Sequence, residues 1–191
     1  MDWGGVLIEN PAWGLMHYCA RALGVPPDRY AQVHNALAGP FQEGRISEPD
    51  FWMGVCRRLS CPLPVSPSLW GDAFRAVYRP RPEMLALVSS LKARGCKTAL
   101  LSNTEQPCVR YLHELQYDAF DVCIFSCEEG VTKPARRIYD LALERLGVVP
   151  GKAVFVDDNA LFVAGAREAG LHGIVYSDSL NLAQGLAELM S

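Results

Sequence analysis

The stretch Ala153-Val154-Phe155-Val156-Asp157-Asp158-Asn159 narrows the possible folds of this chain more than any other. Its apolar residues run straight into two carboxylates and an amide, and a Gly/Ala-rich segment from Val163 to Gly170 follows. A short unbroken apolar run is the pattern of a strand buried on both faces, as in a parallel sheet, and the small-residue segment reads as the helix after it. Open α/β sheets bind ligands at the carboxyl ends of such strands. Two adjacent carboxylates at a water-poor edge repel each other, so a cation or hydrogen-bond donors must compensate. A helix N-cap is the plainer explanation, but a cap needs one such residue and here three stand in a row.

The same alternation runs through the C-terminal half. It predicts a helix over 82–94, a strand Lys97–Leu101, a helix over 106–116 and a strand Val122–Phe125. A helix Pro134–Leu146, a strand 153–156, a helix to Ala169, a strand Gly173–Tyr176 and a helix from about 180 complete the series. Residues 11–80 lack strand alternation and read as helices over Leu15–Leu23, Pro27–Ala38, Glu48–Leu59 and Pro67–Tyr78. Pro26-Pro27, Gly39-Pro40, Pro62 and Pro64 are expected to end them. The expected fold class is α/β: a three-layer doubly wound parallel sheet with a small helical cap inserted after the first strand. Residues 1–10 and 80–191 would form the core, and 11–79 the cap.

Composition removes other classes. A chain of 191 residues, half of them hydrophobic, suits one core with a small inserted module. A net charge of −3 with scattered basic residues gives no footprint for nucleic acid. No run approaches a membrane span and the start has no signal-like pattern, so a cytoplasmic protein without membrane contact is expected, as monomer or weak homodimer. The seven cysteines contain no Cys-x-x-Cys, and His17, His34, His113 and His172 have no companion at ligand spacing, which favours reduced structural thiols over zinc. Gly147 to Lys152 falls one residue short of a P-loop, and Trp13, Trp52 and Trp70 read as core.

Four segments would meet the carboxyl edge of the sheet: Asp2-Trp3-Gly4-Gly5-Val6, Leu101-Ser102-Asn103-Thr104, Gly130-Val131-Thr132-Lys133-Pro134 and Val156-Asp157-Asp158-Asn159. In order and character they resemble the four signature motifs of the haloacid dehalogenase (HAD) superfamily, and the resemblance spans essentially the whole chain. The phrase from Gly44 to Trp52 is similar to the helical cap of its small-cap phosphatase branch, whose nearest activities are α-glucose-1-phosphatase-like and epoxide hydrolase N-terminal-domain-like phosphatases. The resemblance implies a phosphatase of a small phosphorylated metabolite, a sugar phosphate among the candidates, working through an aspartyl-phosphate intermediate. Asp2 would be the nucleophile. Mg²⁺ would be held by Asp2, the Gly4 carbonyl and Asp158, with Asp157 behind them. Ser102 and the backbone at Asn103 would bind phosphate, and Lys133 would balance the charge of nucleophile and phosphate.

The chain departs from the family pattern in three places. Gly4 stands where most of these phosphatases carry the acid/base aspartate, a loss of roughly 10²–10⁴-fold in acid–base assistance; Glu9 or a substrate hydroxyl would have to supply the proton. Phe162 replaces an asparagine that supports the metal site. Only Met1 precedes Asp2, so the central strand is either a stub around Met1 to Trp3 or is completed by residues upstream, the second being favoured; an apolar upstream segment is expected to raise stability and activity. A non-catalytic HAD-like protein that binds a ligand or protein partner is the alternative function, and a metal-free dehalogenase a third, disfavoured by the Asp157-Asp158 pair.

Overall fold

In the computed structural model, which describes residues 1–117 and 119–190, the chain builds its sheet around its own first two residues. Strand β1 (Ala99–Ser102) pairs in parallel with β2 (Val122–Phe125), and β3 (Val154–Asp157) pairs in parallel with β4 (His172–Val175). The two pairs are separate ladders. Met1 and Asp2 lie between them: the Met1 amine donates to the Ala99 carbonyl at 2.9 Å, Leu101 N–H donates to the Met1 carbonyl at 3.0 Å, and Asp2 N–H donates to the Val156 carbonyl at 2.9 Å. The spatial order is therefore β2, β1, the Met1–Asp2 stub, β3, β4. Six helices accompany the strands: α5 (Pro82–Ala93), α6 (Gln106–Glu114), a short α7 (Ser126–Glu129) not foreseen from the sequence, α8 (Arg136–Leu146), α9 (Ala160–Glu168) and α10 (Ser179–Met190).

Local chemistry moves several boundaries from their expected places. β1 begins at Ala99 because Thr98 is already committed: its N–H donates to Asp121 Oδ2 at 2.8 Å and its carbonyl accepts from Asp121 and Val122. α8 begins at Arg136 rather than Pro134, since residues 130–135 form a turn closed by Ala135 N–H on the Thr132 carbonyl at 3.0 Å.

Between the stub and α5 lie four helices, α1 (Ala12–Ala22), α2 (Pro27–Gln42), α3 (Glu48–Leu59) and α4 (Leu69–Val77). α3 shows why the sequence is helical there. Ser47 caps it, accepting the Asp50 N–H at 3.2 Å; Glu48 and Asp50 occupy its first turn and Arg57 and Arg58 its last, matching the helix dipole. Gly39-Pro40 does not end α2 as expected. The N–H that Pro40 lacks would have bonded the carbonyl of Ala36, an exposed residue, and the extra turn seats Phe41 against Phe51 at 4.5 Å between ring centroids. Tyr30, Phe41, Phe51, Trp52 and Trp70 form the buried aromatic centre of this unit. Trp13 contradicts its expected core placement: it is 74 % exposed on α1, stacked on His17 one helical turn away.

The two crossings between the sheet and the four helices run side by side. Ile8 bridges Pro80, Glu9 N–H donates to the Arg79 carbonyl at 2.9 Å, and Arg81 N–H donates to the Leu7 carbonyl at 2.9 Å. The Arg81 guanidinium gathers the carbonyls of Gly5, Val6 and Ile8 and packs over Tyr176. No helix among the described residues is long and apolar enough to cross a membrane.

Candidate active site

The carboxyl ends of the stub, β1 and β3 meet at one place. Asp2 follows the stub, Ser102 closes β1, Asp157 closes β3, and Asp158-Asn159 leads into α9. Asn159 does the capping: its Oδ1 accepts the Leu161 N–H at 2.9 Å, while Asp157 Oδ1 accepts the Asn159 N–H at 2.8 Å. The plainer N-cap explanation is thus satisfied by one residue, and the carboxylate of Asp158 is left to face the cavity.

Lys133 is the centre of the charge network. Its ammonium, on a side chain that is almost wholly buried, donates to Asp2 Oδ1 at 2.7 Å and to Asp157 Oδ2 at 2.6 Å. The 130–135 turn is held in place by Asn103, whose Oδ1 accepts Lys133 N–H at 2.8 Å while its Nδ2 donates to the Lys133 carbonyl at 3.1 Å. Phe162 and Phe155 present their rings to the ammonium at 5.0 and 5.4 Å from the centroids. The ring at position 162 is thus a cation–π partner for the lysine.

Asp2, Asp157 and Asp158 each offer a carboxylate oxygen within 4.8 Å of the others, and Asp158 is the least buried of the three. A single lysine is paired with this cluster. Burial raises the Asp2 carboxyl to about 6, Lys133 pulling it down and Asp157 pushing it further up. Burial, followed by repulsion from Lys133, lowers the Met1 amine to about 5. Hard oxygen donors in excess of cationic charge are the chemistry of a divalent-cation site, and Asp157, with both oxygens engaged by Lys133 and Asn159, serves to orient the rest.

The loop after Asp2 is shaped for the same point. Gly5 has φ +91°, and a Cβ there would run into the Asp158 carboxylate, so no other residue fits. A Cβ on Gly4 would lie 3.2 Å from Pro11 Cδ, a tight contact with a side chain that has to give slightly. Asn10 donates from Nδ2 to Asp158 Oδ2 at 3.2 Å, a contact the sequence reading missed although the Asn10-Pro11 pair ahead of α1 was a visible turn signal.

A cavity of about 330 Å³ opens over these groups and continues beneath the four-helix unit. Asp2, Gly4, Ser102, Asn103, Lys133 and Asp158 line it, while Asp157 lies behind them, fully buried. Glu9 is exposed and outside the lining. Three polar residues to which sequence reasoning gave no role also line it: Glu105, at the start of α6, and His34 and Gln42, from α2. None stands in a motif. The cavity roof is tied to the sheet by Ser126, whose Oγ accepts the Thr104 N–H at 2.9 Å and donates to the Gln42 carbonyl at 2.6 Å.

The chain resembles known proteins along nearly its whole length. It is 29 % identical over 186 residues to mouse acyl-CoA dehydrogenase family member 10, covering 91 % of this chain but only 17 % of that protein's length. It is 28 % identical over 159 residues to a sesquiterpene phosphatase of Aspergillus oryzae, covering 78 % of this chain and 77 % of the other. In three dimensions it overlays on a HAD family enzyme from Bacteroides thetaiotaomicron, in complex with magnesium and inorganic phosphate, with a TM-score of 0.77, 19 % identity and coverage of 95 % and 96 % of the two chains. The family model of haloacid dehalogenase-like hydrolases matches residues 66–170, more than half of the sequence, and the chain belongs to that family.

Proposed function

We propose that the protein is a Mg²⁺-dependent phosphatase of a small phosphorylated metabolite, acting through a covalent aspartyl phosphate. The observation that carries this reading is the crowding of Asp2, Asp157 and Asp158 around a single buried lysine at the floor of the cavity. Both the phosphatase activity in the name of the fungal relative and the magnesium and phosphate of the bacterial structure support it. In this reading residues 1–10 and 80–191 are the catalytic core and 11–79 the cap that selects the alcohol.

Asp2, the Gly4 carbonyl and Asp158 would hold the metal, with Asp157 behind them. Bound there, Mg²⁺ supplies the positive charge that lets a carboxylate and a phosphate dianion approach each other. The Asp2 oxygen not held by Lys133 attacks phosphorus, the ester O–P bond breaks, and the alcohol oxygen leaves with the electron pair. Lys133 fixes the other Asp2 oxygen and offsets charge on the phosphoryl group; Ser102 and the Asn103 backbone hold its remaining oxygens. Water then attacks phosphorus, the P–O bond to Asp2 breaks to regenerate its carboxylate, inorganic phosphate is released, and the proton lost by the water reaches the departed alkoxide through solvent. With Gly4 in place of an acid, no side chain protonates the leaving oxygen, so esters of acidic alcohols are the fast substrates.

The test is hydrolysis of p-nitrophenyl phosphate with and without Mg²⁺. Turnover is expected only with the metal, and Asp2→Asn and Asp158→Asn each lower kcat/KM by on the order of 10³-fold or more while circular dichroism stays native. Metal-free turnover, or an active Asp2→Asn variant, overturns the mechanism; phosphate-ester binding with no turnover supports the non-catalytic alternative instead.

A further inference from the structure

The catalytic chemistry accounts for the floor of the cavity but not for its far end under the cap. There the lining is mainly apolar, with Leu15, Met16 and Phe74 contributing, and its polar side chains are His34, Gln42 and Glu105. His34 is only 8 % exposed; its ring stacks on Trp70 at 5.2 Å with 5° between the planes. Its Nδ1 lies 3.3 Å from Asn35 Oδ1, the contact that the Nδ1–H tautomer makes. Burial pushes the imidazole below its ordinary range and keeps it neutral. Nε2 is then a bare lone pair, buried and without a protein donor. Buried acceptors are ordinarily satisfied, and this one belongs to a residue that lines the cavity.

Glu105 adds to the same polarity. Its Oε2 accepts the Trp70 indole N–H at 3.0 Å, and its carboxyl is buried beside the cavity. Among the described residues no lysine or arginine other than Lys133 lines the cavity, and Lys133 is committed to Asp2 and Asp157. A second anionic group on the ligand would find no lysine or arginine to pair with at this end. A group that donates a hydrogen bond fits both residues.

We propose that the cap end of the cavity is a hydroxyl-binding subsite in which His34 Nε2 accepts from an alcohol hydroxyl of the substrate. The substrate class is the phosphomonoesters of small, neutral, hydroxyl-bearing alcohols with an otherwise apolar body, and esters with a carboxylate or a second phosphate are rejected. This rests on the phosphatase reading.

The experiment compares ω-hydroxyalkyl phosphates with plain alkyl phosphates of matched length, over a series of chain lengths, with Mg²⁺. At the best length the hydroxylated ester is favoured in kcat/KM by about tenfold or more, and His34→Phe, which keeps a ring against Trp70, brings that ratio close to unity. An unchanged ratio in the variant overturns the proposal. A second measurement needs no turnover: protein labelled with ¹⁵N-histidine is titrated with the matching non-hydrolysable phosphonates. The His34 Nε2 resonance moves upfield with the hydroxylated phosphonate and not with the plain one; equal responses, or none, overturn the subsite. Failure to hydrolyse p-nitrophenyl phosphate removes the phosphatase reading alone, because the phosphonate titration still decides the role of His34.

Discussion

The two walls of the cavity are held together by different forces. The sheet wall is electrostatic: a single ammonium bridges Asp2 and Asp157, backbone clasps from Asn103 and Asn159 fix the loops, and carboxylates outnumber cations. The cap wall is aromatic: Tyr30, His34, Phe41, Phe51, Trp52 and Trp70 touch one another ring to ring, and its polar groups are few and buried. The first wall gathers carboxylates around one cation; the second is a packed set of rings. Substitutions on the two walls should therefore fail in different ways.

The largest effect is expected at Lys133. Lys133→Met leaves Asp2 and Asp157 buried beside each other without their counter-ion, which should abolish turnover and destabilise the fold by about 3–5 kcal/mol. Added Mg²⁺ should recover part of the lost melting temperature, because it binds only the folded carboxylates. Denaturant unfolding with and without Mg²⁺ checks this, and undiminished stability would mean that the sheet wall is not under electrostatic strain.

On the cap side, Phe51→Ala removes a fully buried ring that does not line the cavity, at a cost of about 3–5 kcal/mol. Activity toward p-nitrophenyl phosphate should persist well below the lowered melting temperature. If catalysis disappears while the variant is still folded, the separation of the two walls into chemistry and shape is wrong.

A third effect sharpens the account of the sheet wall. Aryl phosphates should be hydrolysed about 10²-fold faster than alkyl phosphates, since Gly4 offers no proton to the leaving oxygen. Gly4→Asp should narrow that gap, provided Pro11 yields to the new Cβ. Equal rates for both ester classes in the unaltered protein would point to a proton donor on the substrate.

The smallest effect lies far from both walls, at the start of the β1–β2 pair. Donation from Thr98 N–H and then Lys92 holds the Asp121 carboxyl below the usual carboxylate range. A depressed value means that the unfolded chain binds the proton more readily, so the contribution is present above the ordinary carboxylate range and lost as pH falls through the depressed value. Asp121→Asn should lower the melting temperature slightly at neutral pH, with the difference closing in acid; a gap that persists in acid would assign the effect to packing.

How much was visible in the sequence follows the same division. Short apolar strands running into Asp157 or Ser102 and the lysine before Pro134 are local patterns, and the structure brings them together at the edge the strand order requires. The helices of the insert were legible from the lack of strand alternation and from proline, but the persistence of α2 through Pro40 was not, because it depends on Phe41 reaching Phe51. His34 and Glu105 were illegible for a deeper reason. Each is a lone polar residue whose importance comes from what surrounds it in space, and no spacing along the chain encodes the cavity they share.

The pairing of Ile8 and Glu9 with Arg79 and Pro80, locked by Arg81, has a consequence beyond the geometry of one molecule. Entry to and exit from the helical insert pass through a single joint whose hydrogen bonds close on themselves, without help from the helices they connect. An insert attached in this way has its two ends fixed to each other, so that changes between them need not displace the loop that carries Asp2. Under the proposed function, substrate choice can then change through residues 11–79 while the groups at the carboxyl edge of the sheet stay as they are.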